Sequence, residues 1–466
     1  MSEIHLPENM TRSEKRATSG LAAIFGLRML GMFLILPVFA LYAAHLPGGQ
    51  NYTLVGLTLG MYGLTQAVLM IPFGMASDRI GRKKVIIFGL LVFALGSFVA
   101  ALATDIYWTI AGRALQGAGA ISAAVTAMLA DLTREEQRTK AMATIGSTIG
   151  IAFALSLVAG PALGHLIGVP GIFAMTGVLA LAAIVVVLYW IPDPADTHYH
   201  ADASANPARL KDVLRDPQLL RLDFGIFALH AAQMAMFVVV PVALKNSGLS
   251  LQQHWAVYLP VLLGSFALMI PAIIYGEKRG QMKPVFIAAV ALMLAAQIGL
   301  ALGIQHLWGI VGALFFYFVA FNLLEASLPS LISKLAPVSA KGTAMGVYNT
   351  AQALGLFVGG VVGGWLAQHY GFAAVFAFCG GLMGVWLMAS LSMTAPLAIK
   401  TRMFNVGIMD SERAALLRSR LASVAGVVEA AVLAEEGVAM LKIQRAGWDE
   451  SAARFILQQE PNSKGT

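Results

Sequence analysis

The chain has 466 residues, of which 58% are hydrophobic and 12% charged, and its mean hydropathy is +0.75. A soluble protein of this length needs far more charge to cover its surface, so the composition excludes the soluble classes and assigns an integral membrane protein. The single cysteine, Cys379, excludes an intrachain disulfide and a multi-cysteine metal site, and the formal charge of +7 is accounted for by cations at helix ends, with no nucleic-acid partner implied.

Residues 1–18 are polar and carry Arg12, Lys15 and Arg16 ahead of an apolar run too long for a signal-peptide core, which predicts an uncleaved cytoplasmic start. Runs near the ~20 apolar residues that a helix needs to cross a bilayer fall at 19–44, 54–77, 84–104, 106–131, 140–167 and 171–191. A second set falls at 220–244, 252–275, 284–303, 306–333, 341–368 and 372–395. The expected architecture is an all-α polytopic membrane protein with twelve transmembrane helices in two six-helix bundles, 1–191 and 220–396. Between them, 192–219 holds Pro192, Pro194, Pro207 and Pro217 and a short amphipathic piece at 208–215, and reads as a cytoplasmic linker with one surface helix. His198 and His200 with Asp196 and Asp202 read as a solvated loop; a metal site there is the less favoured alternative.

Lys and Arg gather on alternate loops, at Arg79 to Lys84, Arg134 to Lys140, Arg209 to Arg215, Lys278 to Lys283 and Lys334 to Lys341. Opposite loops carry almost none, Lys245 being the exception. The positive-inside rule then predicts cytoplasmic termini, in a bacterial inner membrane. The halves repeat at an offset of about 200 residues, Met70-Ile-Pro-Phe-Gly74 matching Met269-Ile-Pro and Thr139-Lys-Ala-Met142 matching Gly342-Thr-Ala-Met345, as expected of related bundles with a midplane site between them.

After Pro396 the composition becomes soluble-like. A strand at 403–408, a helix opened by Asp410 and Ser411, strands near 427–433 and 438–444 and a helix following Asp449 predict a cytoplasmic βαββα domain at 401–460, most of a ferredoxin-like fold. The segment from Gly426 to Val432 resembles the second strand of the heavy-metal-associated domain. Where that family holds two cysteines this chain has Met409-Asp-Ser-Glu-Arg-Ala, so copper or zinc chemistry is not expected. A regulatory, docking or self-association role is expected instead, a stability tail being the alternative.

The stretch Gly74-Met-Ala-Ser-Asp78-Arg79-Ile-Gly81-Arg82-Lys83-Lys84 ends the second span. Gly74 and Asp78 share a helical face, so the glycine admits a neighbouring helix and the carboxylate is expected to reach that helix's positive N-terminus, the start of the eleventh span at Lys341. Gly81 permits a tight turn. Arg79, Arg82 and Lys83 remain for anionic lipid or for another acid, with Asp131 the first candidate. Ordinary loop charge is the plain alternative. The pattern resembles the G-x-x-x-D-R-x-G-R-[RK] loop of the major facilitator superfamily, which implies a latch between the two halves. The second copy keeps only Glu277, Lys278 and Gly280, so a weaker latch is expected there.

Two further stretches carry the resemblance. Arg113-Ala-Leu-Gln116-Gly-Ala-Gly-Ala is similar to the family's fourth-span motif, in which the arginine is implicated in proton coupling. Gly150, Gly160, Pro161 and Gly164 resemble its fifth-span antiporter motif, with His165 standing where that motif ends in glycine. Small-residue packing with a proline kink is the plain reading of the same residues.

Ionisable groups inside spans are costly and face cavities. Arg28 lies about nine residues, roughly 13 Å, into the first span. Together with Gln66, Arg113, Gln116, His230, Asn322, Glu325 and Asn349 it is expected to line a central cavity. Glu325, read as the only acid well inside a span, is the first candidate proton carrier, a permanent ion pair with Arg28 being the alternative. The resemblance implies a secondary transporter that needs no cofactor, draws on the proton gradient and exports an amphipathic or drug-like small molecule. A proton symporter importing a nutrient and a non-transporting sensor acting through 401–460 are the alternatives. No nucleotide loop or nucleophile constellation points to an enzyme.

Overall fold

The computed structural model describes residues 10–193, 209–337, 340–393, 399–434, 437–444 and 447–458. The histidines of the linker lie outside these. Among the described residues, ten helices are long and apolar enough to cross a membrane. They are α3 (Tyr52–Ile80), α4 (Arg82–Ala101), α7 (Glu135–Leu166), α8 (Gly168–Tyr189), α10 (Pro217–Asn246), α11 (Trp255–Lys278), α12 (Met282–Gly303), α13 (Leu307–Leu335), α14 (Lys341–Tyr370) and α15 (Phe372–Leu391).

The first and fourth apolar runs each fold as two helices. The first divides into α1 (Arg12–Phe33) and α2 (Phe39–Ala43), the fourth into α5 (Ile106–Ala118) and α6 (Ser122–Asp131). Pro37 supplies no amide N–H at the first break, and the chain there closes with tighter bonds, Leu36 N to Phe33 O (3.0 Å) and Val38 N to Ile35 O (3.1 Å). At the second break Gly119 lies against α4, where a Cβ would stand 2.5 Å from the carbonyl oxygen of Gly89. The linker piece expected at 208–215 is a single turn, α9 (Leu210–Val213), whose Val213 is buried.

Rows of glycine set how the helices meet. Gly355, Gly359 and Gly363 bring α14 onto the backbone of α10 at Phe227, Ala231 and Ala235. On another face of α14, Gly360 and Gly364 meet Gly56 and Gly60 of α3, and Gly63 meets Ala353 and Phe357. This second seam joins the two bundles, and it lies at the end away from the basic loops. Further contacts between the bundles fall at the same end or at mid-depth. Tyr52 N donates to Gln368 Oε1 (2.8 Å), the Tyr52 and Phe372 rings meet edge to face, and Phe153 of α7 touches the rings of Phe237, Phe318 and Phe321. Toward the basic end, Gly146 and Gly150 of α7 face open space. The bundles therefore close at the cation-poor end and diverge toward the basic one.

Beyond α15 a small domain follows in the expected order: β1 (Ile399–Asn405), α16 (Ser411–Ala422), β2 (Val427–Leu433), β3 (Val438–Gln444) and α17 (Glu450–Gln458). The sheet is antiparallel with order β1-β3-β2, Ile399 pairing with Gln444 and Asn405 with Val438. β1 thus starts and ends earlier than the 403–408 expected, because Gly407, at φ +75°, turns the chain out of the sheet, and the domain begins at 399. Leu417 and Leu421 of α16 pack with Ala439, Leu441 and Ile443 to form its core. Lys442 joins this domain to the membrane part, donating to the carbonyl oxygen of Ala336 just beyond α13 (2.5 Å) while pairing with Glu429 (2.9 Å).

A leucine side chain at Gly56 has no room against the Gly360 carbonyl, and overpacking of this kind costs about 1–3 kcal/mol. In a Cys379→Ser background carrying Tyr52→Cys and Gln368→Cys, disulfide cross-linking is expected to be efficient and to fall about tenfold on adding Gly56→Leu. Unchanged cross-linking would show that the seam does not hold this end closed.

Candidate functional site

Three groups of polar side chains stand out, and the bundle geometry decides which of the expected residues meet. At the basic end, Gly81 (φ +109°) breaks the chain sharply between α3 and α4. The turn brings Arg82 back over the last turn of α3. Arg82 Nη1 bonds Asp78 Oδ1 and Ser77 Oγ (3.0 Å for the latter), while its Nε reaches Asp131 Oδ2 at the end of α6 (3.1 Å). Arg82 and Asp131 are buried, whereas the Asp78 side chain is 42% exposed. Lys83 pairs with Asp193 (2.8 Å), and Arg79 is exposed.

All of these contacts stay within or beside the first bundle. Gly74, expected to admit the eleventh span, instead faces Ala123 of α6, 3.3 Å from the position of a Cβ. Asp78 is engaged with Arg82 on its own helix. The expected cap on α14 is thus not made here, because the bundles have separated at this end. In the second copy Gly280 repeats the left-handed turn (φ +64°). Arg279 lies over the Tyr275 ring (5.0 Å), and Lys283 donates to the Leu391 carbonyl (3.3 Å).

Deeper in the first bundle, Arg28 of α1 and Arg113 of α5 both lie over the ring of Tyr62, at 5.6 Å and 4.8 Å from its centroid. Arg28 donates to Ser122 Oγ (2.7 Å) and to Gln66 Oε1 (3.3 Å). Arg113 donates to Gln116 Oε1 (2.8 Å), and Gln116 in turn donates to Ser97 Oγ (2.8 Å). Among the described residues neither guanidinium has a carboxylate partner, so the expected alternative of an Arg28–Glu325 ion pair is absent here.

Glu325 of α13 belongs to a third group, in the second bundle. Its Oε2 lies 3.8 Å from Nε2 of the buried His230 in α10, and its side chain is 27% exposed. His230 Nδ1 lies 3.2 Å from the carbonyl oxygen of Ile226, which only accepts, so the ring proton sits on Nδ1. Nε2 then accepts from the Gln352 amide (2.7 Å). That amide takes the single lone pair of Nε2, and Glu325 Oε2 stands beside the ring at 3.8 Å.

Asn322, three residues before Glu325, turns instead to Ser265 of α11 (2.9 Å) and ties α11 to α13. Asn349 lies half-buried on α14. The basic end of α10 holds a second acid. Asp223 is also buried, with neither carboxylate oxygen hydrogen-bonded among the described residues. Tyr62 and Asp223 escaped the sequence reading. Tyr62 stands one helical turn before Gln66, a spacing that could have flagged it, but Asp223 follows Arg221 so closely that it reads as part of the helix boundary.

The antiporter-motif residues divide. Gly150 borders open space, while Gly160 lets α7 approach the broken first span, a Cβ there standing 2.7 Å from the Leu34 carbonyl oxygen. Pro161 sits inside α7 without ending it. Gly164 meets Val38 and, across the bundle interface, Leu251. His165, the departure from the motif, also reaches across, with Gln252 Nε2 3.0 Å from its ring nitrogens.

Breaking a buried ion pair by removing one partner costs about 3–5 kcal/mol, while a largely exposed pair contributes about 1 kcal/mol or less. Asp131→Asn is therefore expected to lower the melting temperature of the purified chain well below that of Asp78→Asn. Equal shifts would remove the distinction between a buried anchor and a solvent-facing partner.

Comparison with known proteins agrees with this architecture. The Major Facilitator Superfamily profile matches residues 21–360 and again 251–402. The inner membrane transport protein YajR of Escherichia coli K12 is 44% identical over 97% of this chain and 98% of its own length. Multidrug resistance protein 2 of Bacillus subtilis 168 is 26% identical over 74% of this chain and 87% of its own. A crystal structure of a bacterial homologue of the human lysosomal transporter Spinster shares the fold with a TM-score of 0.65 at 12% identity, covering 82% of this chain and 97% of that one.

Proposed function

The chain belongs to the major facilitator superfamily and is a multi-pass membrane transporter for a small molecule, not an enzyme; from that premise we propose that it is a proton-driven antiporter exporting amphipathic, drug-like compounds by alternating access. The observation that carries the reading is Glu325, a partly exposed carboxylate within a membrane-spanning helix at the side of the buried His230. Such a pair can take up a proton from the cleft and hold it away from lipid, which is what a coupling site requires. The likeness to a multidrug resistance protein supports an exporter.

With the basic loops in the cytoplasm by the positive-inside rule, both termini are cytoplasmic, the membrane is the inner one, and the conformation is open inward. The Arg82 cluster then keeps α3, α4 and α6 moving as one body, ready to engage α14 when that end closes. Lys442 gives the C-terminal domain a hold on the end of α13, the helix that carries Glu325, and so a route to regulation.

In inverted membrane vesicles with a preset inside-acid pH gradient, an exported compound is expected to dissipate the gradient, and Glu325→Gln to abolish this while leaving the protein in the membrane. A compound that deepens the gradient would make the protein a symporter. Full dissipation by Glu325→Gln would remove the carboxylate from the coupling role.

A further inference from the structure

The two guanidinium groups of the first bundle are furnished with donors far in excess of acceptors. Each guanidinium carries five N–H donors and no acceptor. Together they meet three protein acceptors, on Ser122, Gln66 and Gln116. Arg28 Nε, Arg113 Nε and Nη2 and the Tyr62 hydroxyl are all buried without a hydrogen-bond partner among the described residues. The Tyr62 face attracts both cations, but it cannot serve N–H groups that point along the guanidinium planes. A buried charge normally persists because it is paired, and here neither cation has a counter-ion among the described residues. What would complete the site is a group that only accepts and carries negative charge, and a carboxylate, sulfonate or phosphate meets both conditions.

The site is also placed for a ligand that comes and goes. Gln66 lies one turn of α3 toward the open end from Tyr62. Its side chain meets the Arg28 guanidinium through a 3.3 Å bond, the longest of the three. Gly63 and Ala353, where α3 and α14 come into backbone contact, form the roof just above. Rotation of the Gln66 amide would free one further Arg28 donor.

We propose that the Arg28–Arg113–Tyr62 cluster is the substrate-charge site, and that the transported molecule carries an anionic, acceptor-only headgroup. This rests on the transporter reading above and narrows its substrate class from amphipathic to anionic. Export of an anion is also favoured by an inside-negative membrane potential, the same field that draws protons inward to Glu325.

The test is equilibrium binding by calorimetry on the purified full-length chain, using benzoate, benzenesulfonate and phenyl phosphate beside neutral benzamide, cationic benzylamine and chloride. At least one organic anion is expected to bind about tenfold or more tightly than benzamide and benzylamine, the difference a charge-assisted bond supports. Arg28→Gln and Arg113→Gln should each weaken that anion by a similar factor, with Arg16→Gln, a surface change, as the unaffected control. Tyr62→Phe, which keeps the ring, provides a variant expected to fold and to bind a few-fold less tightly. Preference for benzylamine, binding of chloride alone, or no binding of any organic anion to the wild-type chain overturns the proposal. Binding without gradient dissipation in the vesicle assay would leave this inference standing while removing the proton-coupled reading.

Discussion

Backbone contact between α3 and α14 is the constraint on which the remaining geometry depends. Gly56, Gly60, Gly360 and Gly364 let the two helices touch without side chains between them, and in a membrane such close approach replaces the hydrophobic effect as the source of helix association. Because the seam is confined to the cation-poor end, the bundles are hinged there and the opposite end is open. Gly74 and Asp78 accordingly face their own bundle.

The two bundles carry complementary chemistry across the cleft. The first holds two buried cations and an aromatic ring, and the second holds a carboxylate and an imidazole. Under the proposals above, the first attracts a ligand while the second carries the proton. Neither function requires the basic-end cluster, in which Arg82 anchors Asp131 and Asp78 and so ties the ends of α3, α4 and α6 together.

Much of the fold was legible in the sequence because apolar length is an unambiguous signal in a membrane protein. The twelve runs, the soluble tail and its βαββα order all follow from it. Breaks within the runs were not legible: Pro37 and Gly119 sit among apolar residues, and only the neighbouring glycines at 160 and 89 show why the chain departs from helix there. The Arg82–Asp131 contact followed from charge and span order. The partner of Gly74 did not, since it depends on which end of the protein is open, a property of state and not of sequence. Asn322 and Glu325 share a spacing but not a role, because Ser265 on α11 captures the amide. Tyr62 carries no charge and so drew no notice, although both buried arginines use it.

The charge on Glu325 is proposed to select whether the α3–α14 pair is open at the basic end or at the cation-poor end. Spin-label distances at the two ends of the α3–α14 pair test it directly, using Thr53→Cys with Gln368→Cys and, separately, Ile80→Cys with Met345→Cys, each in a Cys379→Ser background. Replacing Glu325 with glutamine, which mimics the protonated carboxyl, is predicted to move the two distances in opposite directions. Unchanged distributions, or both ends widening together, would contradict it.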